Sequence, residues 1–311
     1  MNIPEIKVAK SAGFCFGVER AVDKVYKCIE EAHRTGLPVY TYGEIIHNEA
    51  VLGDLEEKGV HIIREEEEKT DGETPQNTAL DGQTETLASR LPQEGIIIIR
   101  AHGVSEYVEK TLKESGLTVV DATCPFVKRI HKIVREASEK GETVIVFGHA
   151  THPEVRGIVG WVKGPYDVIE SKEEAEAFSE PCDTSLTIVS QTTMEIRKFQ
   201  ETVELFALKG YNTNVANTIC NATGERQKEA AEIAAIVDAM IVIGGAHSSN
   251  TRRLYEICKS KCAYTYLVQT SGDLRGRLTG RESSIGITAG ASTPKNIIQE
   301  VQTYVRTGTI V

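Results

Sequence analysis

No run in the chain approaches the roughly 20 consecutive apolar residues that span a bilayer. Its opening, MNIPEIKVAKSAGF, has no apolar core of the kind a signal peptide needs. A cytoplasmic location is therefore expected. Basic charge is short: 35 Lys and Arg stand against 45 Asp and Glu, for a formal net charge of −10. Nucleic-acid binding needs clustered Lys and Arg, so no nucleic-acid partner is expected. A small anion is not excluded, because backbone N–H groups and a few side chains can hold one locally. No two of the seven cysteines form a C-x2-C pair, which removes the local zinc knuckle. In a reducing cytosol a disulfide framework is not expected either, which leaves metal binding or catalysis as the reason for any special cysteine.

Present instead is an alternation of short apolar strands with amphipathic helices. IIIIRAHG, TVIVFGHA, LTIVSQTT, AMIVIGGA and SIGITAGA each run from β-rich apolar residues into a small or polar turn and then a helical stretch. Continuous Val/Ile runs followed by helices predict mainly parallel strands buried on both faces. Ligands usually bind at the C-terminal ends of such strands.

The blocks repeat three times in one order. A cysteine opens a helix in AGFCFGVERA, DATCPFVKRI and NTICNATGERQ, followed by Arg20, Arg129 or Arg226. A strand, a Gly and then a polar residue recur in VYTYGEIIHNE, VIVFGHATHPE and MIVIGGAHSSN, placing His47, His152 and Ser248 after Gly43, Gly148 and Gly244. A strand and polar turn recur in IIIRAHGVSEYVEK, TIVSQTTMEIRKF and GITAGASTPKNII, placing His102, Thr192 and Ser292 at related turns. From cysteine to glycine the separations are 28, 24 and 24 residues. The fold expected is α/β, with three pseudo-threefold-related units: 14–123, 124–216 and 217–305, both chain termini packing on the last. Residues 65–93, rich in Glu, Thr, Gln and Gly with little apolar periodicity, read as a polar surface insertion in the first unit.

Pseudo-symmetry brings Cys15, Cys124 and Cys220 to the centre. Three thiolates at one point, without a fourth, suit a cubane iron–sulfur cluster with one open iron. A helix N-terminus also favours the thiolate. His47, His102 and His152, with Ser248, Ser249, Asn250, Thr192 and Ser292, read as an anion pocket around that centre. Glu154, beside His152, would have a raised pKa if desolvated and could then deliver protons. Alternatively it merely complements a helix dipole. Cys28, Cys182, Cys258 and Cys262 read as ordinary, and His33, His61 and His131 as surface residues.

The strings AGFCFGVERA, GEIIHN, RAHGV, DATCP, HPEV, SQTT, ICNAT, SSNT and TAGAS occur in this order over nearly the whole chain. They resemble the 4-hydroxy-3-methylbut-2-enyl diphosphate reductases, the last enzymes of the non-mevalonate isoprenoid pathway. The resemblance implies a [4Fe–4S] cluster on Cys15, Cys124 and Cys220, with a non-cysteine site on the fourth iron. It implies diphosphate binding by His47, His102, His152, Ser248, Ser249, Asn250 and Ser292. Thr192 and Glu154 would lie near the substrate hydroxyl, Glu154 in the proton relay. The reaction implied is reductive removal of that hydroxyl to give isopentenyl and dimethylallyl diphosphate, with flavodoxin or ferredoxin as electron donor. The chain departs from the family pattern at Ala246–His247, where a Lys-Asn pair is frequent. Two other classes compete: a non-redox iron–sulfur dehydratase, which needs no reductant, and an iron–sulfur sensor, which needs no ring of polar turns.

Overall fold

The structure is a computed structural model that describes residues 4–64, 87–181 and 183–308. Most of the polar stretch 65–93, and Cys182, lie outside the described residues. Strand β1 (Glu5–Val8) leads into helix α1 (Phe16–Thr35). Next come β2 (Val39–Tyr42), α2 (Glu49–Glu57), β3 (Val60–Ile63), the single turn α3 (Leu87–Arg90), β4 (Ile96–Ile99), α4 (Glu106–Glu114) and β5 (Thr118–Asp121). Helix α5 (Pro125–Glu139) carries the chain to β6 (Thr143–Phe147), α6 (Pro153–Val159), β7 (Tyr166–Ile169), α7 (Lys172–Ala177), β8 (Ser185–Ser190), α8 (Ile196–Leu208) and β9 (Asn212–Val215). After α9 (Asn221–Ala234) follow β10 (Ala239–Ile243), α10 (Ser249–Lys259), β11 (Thr265–Val268), β12 (Ser284–Ala289) and α11 (Lys295–Thr307).

The strands form three four-stranded sheets with one repeated order: β3-β2-β4-β5, β7-β6-β8-β9 and β11-β10-β12-β1. Every pair is parallel. The N-terminal β1 thus holds in the third sheet the place of β5 and β9, each the strand directly before a cysteine-opening helix. Its register sets Glu5 to Val8 against Ser284 to Ile287.

The central strands show why the sheets are parallel. In β4 all four isoleucines are buried, Ile96 and Ile98 in one apolar cluster and Ile97 and Ile99 in another. The same period-2 division recurs in β6, where Ile145 and Phe147 pack on one side and Val144 and Val146 on the other. In β10, Ile241 and Ile243 face away from Met240 and Val242. A strand apolar on both faces needs helices on both, which parallel crossovers supply. Among the described residues no helix is long and apolar enough to cross a membrane.

All the strands of a parallel sheet end on the same edge, so the turns after them form the binding edge. There the three glycines do equivalent work. The N–H groups of Gly43, Gly148 and Gly244 donate to Ile63, Ile169 and Val268 at 2.8, 3.0 and 2.9 Å. Gly43 has a positive φ of 75°, and a Cβ there would sit 2.3 Å from Arg100 Nη1. A side chain at that point would have to displace the buried Arg100 side chain.

Candidate active site

Cys15, Cys124 and Cys220 are the N-cap residues of α1, α5 and α9, and none makes a side-chain cap bond. Each N–H is tied to a turn carbonyl after a central strand: Cys15 to Ala291 at 3.3 Å, Cys124 to Ala101 at 2.9 Å and Cys220 to Thr192 at 3.1 Å. All three thiols line one cavity. Burial pushes the Cys124 thiol up to about 11, opposed by the N–H groups of Phe126 and Val127. Burial raises Cys220 as well, opposed by Ala222 and Thr223.

The donor set fits a metal cluster. Partly buried thiols such as Cys124 and Cys220, with helix N–H groups near the sulfur, are stabilised as thiolates once a cation joins them. Gly17 supports this close approach, since a Cβ there would lie 2.6 Å from Cys124 Sγ. Buried Arg226 also lines the cavity and donates to Ser11 O and Gly13 O; burial lowers its pKa, opposed by Cys15, Cys220 and Glu229. Its Nη1 has no partner. The other described cysteines lie in apolar cores: Cys28 in one, Cys258 and Cys262 in another. No fourth thiol among the described residues lines the cavity.

The same cavity is lined by a polar ring. His47 stacks on His102 with centroids 4.4 Å apart, and His152 meets each edge-on at 5.6 Å. Burial holds the pKa of His102 well below its usual value and that of His152 at about 3. Both are therefore neutral at pH 7. His152 Nδ1 accepts the Glu154 N–H at 3.1 Å, which leaves its proton on Nε2 as a donor. The three rings could offer nitrogens to one metal ion, but at His152 that would break this arrangement. A hydrogen-bond acceptor such as a phosphoryl oxygen fits it directly.

The ring continues on α10. Ser248 caps that helix by accepting the Thr251 N–H at 3.3 Å, so its own O–H remains a donor. Ser249 Oγ lies 3.0 Å from Thr193 Oγ1, and Ser292 Oγ donates to His47 O at 3.0 Å. Asn250 is 4% exposed, yet neither its Oδ1 nor its Nδ2 has a partner. Native structures rarely bury an amide this way without a ligand or ordered water. The free N–H groups at the helix start favour an anion there.

Glu154 is 1% exposed. Its Oε1 accepts the Thr192 N–H at 2.6 Å and its Oε2 the Thr192 O–H at 2.7 Å. Burial raises its pKa to about 7, against the lowering effect of those two bonds. A carboxyl with a pKa raised in this way could give and recover a proton near neutral pH.

All twelve expected site residues line the cavity. The register of two turns differs from expectation. The N–H of Gly103, Met194 and Thr293 close equivalent turns onto Arg100, Gln191 and Gly290. That aligns His102 and Ser292 with Thr193, not Thr192. Thr193 also lines the cavity and was missed. Likewise the cap equivalent to His152 and Ser248 is Asn48, which accepts the Val51 N–H at 3.1 Å, with His47 one residue before it. His131 is corrected too. It is buried, stacked on Trp161 at 5.2 Å and packed behind Gly103. His33 and His61 are exposed as expected. His149 is paired with Glu170, and exposed His247 lies near Glu44.

The family model described as LytB protein matches residues 6–306. The chain belongs to the LytB protein family. Among relatives of this LytB chain, the 4-hydroxy-3-methylbut-2-enyl diphosphate reductase of Caldanaerobacter subterraneus subsp. tengcongensis is 40% identical over 96% of this chain and 95% of its own. The protein of the same name from Geobacter sulfurreducens is also 40% identical, with the same two shares. A solved structure of the E-1-hydroxy-2-methyl-but-2-enyl-4-diphosphate reductase from Plasmodium falciparum superposes with a TM-score of 0.82 at 26% identity, covering 97% of this chain and 88% of that one. A second, of (E)-4-hydroxy-3-methyl-but-2-enyl diphosphate reductase, has a TM-score of 0.64 at 37% identity, covering 97% and 99%.

Proposed function

We propose that this LytB chain reduces 4-hydroxy-3-methylbut-2-enyl diphosphate to isopentenyl and dimethylallyl diphosphate. The observation that carries the reading is one cavity lined both by three N-cap thiols and by the unpaired buried polar groups of His102 and Asn250. Cys15, Cys124 and Cys220 would hold a [4Fe–4S] cluster, which when bound would pass single electrons and offer an open iron as Lewis acid. The division into units 14–123, 124–216 and 217–305 belongs to the same reading, each supplying one cysteine. So does a cytoplasmic location, where the free cysteines stay reduced.

The chain's own residues do the rest. His152 Nε2–H, Ser248 Oγ–H, Ser249 and the Asn250 amide bind the diphosphate, with His47, His102 and Ser292 completing its shell. This anchor is remote from the reacting carbon, so its binding energy can orient the allylic end. Protonated Glu154 reverses its bond to Thr192, with Oε2–H donating to Thr192 Oγ1. The Thr192 O–H then points at the substrate hydroxyl. Breaking the C–O bond takes two electrons and two protons and releases one water, and the Glu154–Thr192 pair delivers protons to that side.

The test is anaerobic turnover with reduced methyl viologen. Product formation matched to two equivalents of reductant supports the reading. Elimination of water without reductant would favour a dehydratase. The physiological donor is proposed to be a flavodoxin or ferredoxin.

A further inference from the structure

The first three turns of α5 break the charge pattern of the chain. From Pro125 to Arg135 the helix carries Lys128, Arg129, Lys132 and Arg135 and no acid, in a protein with ten more acids than bases. Lys128, Arg129 and Lys132 are exposed. Arg135 is bound to Glu106 and Glu139 and points elsewhere. Lys128 pairs with Asp121, Lys132 lies 3.7 Å from Glu136, and Arg129 has no ion-pair partner among the described residues. Alongside, α1 adds Arg20 and Lys24, which donate to Thr123 O at 3.1 Å and Asp121 O at 2.5 Å. Its exposed acids Glu19 and Asp23 lie within about 60° of Phe16 around the helix, so the positive charge of this face comes from α5.

The same surface carries two misplaced aromatics. Phe16 is 65% exposed and Phe126 is 41% exposed. Phe16 follows Cys15 directly, and Phe126 lies two residues after Cys124. The two helix starts are adjacent, because Gly17 abuts Cys124 Sγ. Exposed aromatics beside a cluster of basic side chains mark interaction sites, with the aromatic supplying desolvated contact and the charge steering the encounter.

We propose that the N-terminal halves of α1 and α5 form the docking face for a small acidic one-electron carrier protein. Phe16 and Phe126 are its apolar contact, and Lys128, Arg129 and Lys132 its attraction. This rests on the reductase reading, which requires an electron source. Charge complementarity favours this partner class: a chain of net charge −10 repels an acidic carrier on the whole, and a basic patch on it draws the carrier to one face. The cysteines lie within two residues of the contact, so the electron has a short way to travel. Each docking oxidises one carrier by one electron, and two dockings complete the reduction that breaks the C–O bond and forms one water.

The test uses the intact cluster-loaded protein and the double variant R129E/K132E, neither residue lying in the cavity. Reduced acidic flavodoxin is one donor and reduced methyl viologen the other. The expected result is a rise in KM for flavodoxin of about tenfold or more at low salt, shrinking as ionic strength screens the patch. Turnover with viologen stays unchanged, and K172E on α7 changes neither. An unaltered KM for flavodoxin, or an equal loss with both donors, overturns the docking face. A wild-type protein idle with viologen overturns the reductase reading and takes the docking face with it.

Discussion

Glu154→Gln removes a charge from a site that opposes it, so its effect on stability depends on pH. Burial raises the Glu154 pKa from 4.5 to about 7. Between those values the folded chain binds a proton that the unfolded chain does not, so stability falls as pH rises from about 4.5 to about 7. The shift corresponds to roughly 3 kcal/mol, fully lost by pH 8.5. Glutamine is isosteric and neutral. Its Oε1 can still accept the Thr192 N–H, and its Nε2 can donate to a rotated Thr192 hydroxyl. The variant should therefore exceed wild type at pH 8.5 by roughly 3 kcal/mol, about 1 M in urea midpoint for an m near 3 kcal/mol/M. At pH 4.5 the two should nearly coincide. Urea unfolding of the reduced, metal-free proteins at both pH values is the assay. The gain in stability should accompany a loss of turnover of about 10²- to 10⁴-fold, the usual worth of a positioned proton donor, while diphosphate affinity holds. A stabilisation equal at both pH values, or a less stable variant at pH 8.5, would refute the reasoning from burial.

Other perturbations separate binding from assembly. Asn250→Ala removes two buried atoms that have no partner in the free protein, so stability should hardly change while pyrophosphate binding, by calorimetry, weakens by about 1–3 kcal/mol; lost stability at full affinity would speak against a ligand role. Glu44 is held ionised chiefly by its contact with His47, Oε2 to Nδ1 at 3.2 Å. Glu44→Gln should let that ring turn, raising KM about tenfold with kcat little changed; a pure kcat effect would contradict this. Gly17→Ala sets a methyl group 2.6 Å from Cys124 Sγ, and should leave far-UV circular dichroism intact while more than halving bound iron. Full iron content would show that the two helix starts can move apart.

The fold was legible because its repeats are chemical as well as geometric. A residue type that must face the centre recurs at the same strand end, and Cys15, Cys124 and Cys220 could be aligned on that ground alone. What escaped were offsets of a single residue. The turn after Gly43 is one residue longer than its counterparts, so Asn48 rather than His47 holds the cap. The turn after β8 presents two threonines, and only the hydrogen bonds to Cys220 and Met194 tell Thr192 from Thr193. Both threonines are small and hydroxylated, so composition could not separate them. His131 had a signal that went unused. It sits between Ile130 and Val134, on the face that also buries Val127 and Ala137. Helical spacing assigned it to the core, where its ring backs the turn that aims His102. The pairing of β1 with β12 has no local mark in EIKV, because parallel partners are chosen by the crossover and not by the strand.

The most direct measurement counts metal. Iron and acid-labile sulfide, with Mössbauer spectra, should be taken on the anaerobically reconstituted protein and on Cys124→Ser. About four irons per chain, one of them spectroscopically distinct because no thiolate binds it, are expected in the wild type. The variant should lose most of that content. A wild type without iron, or a Cys124→Ser protein with the same cluster, would contradict the three-thiol centre.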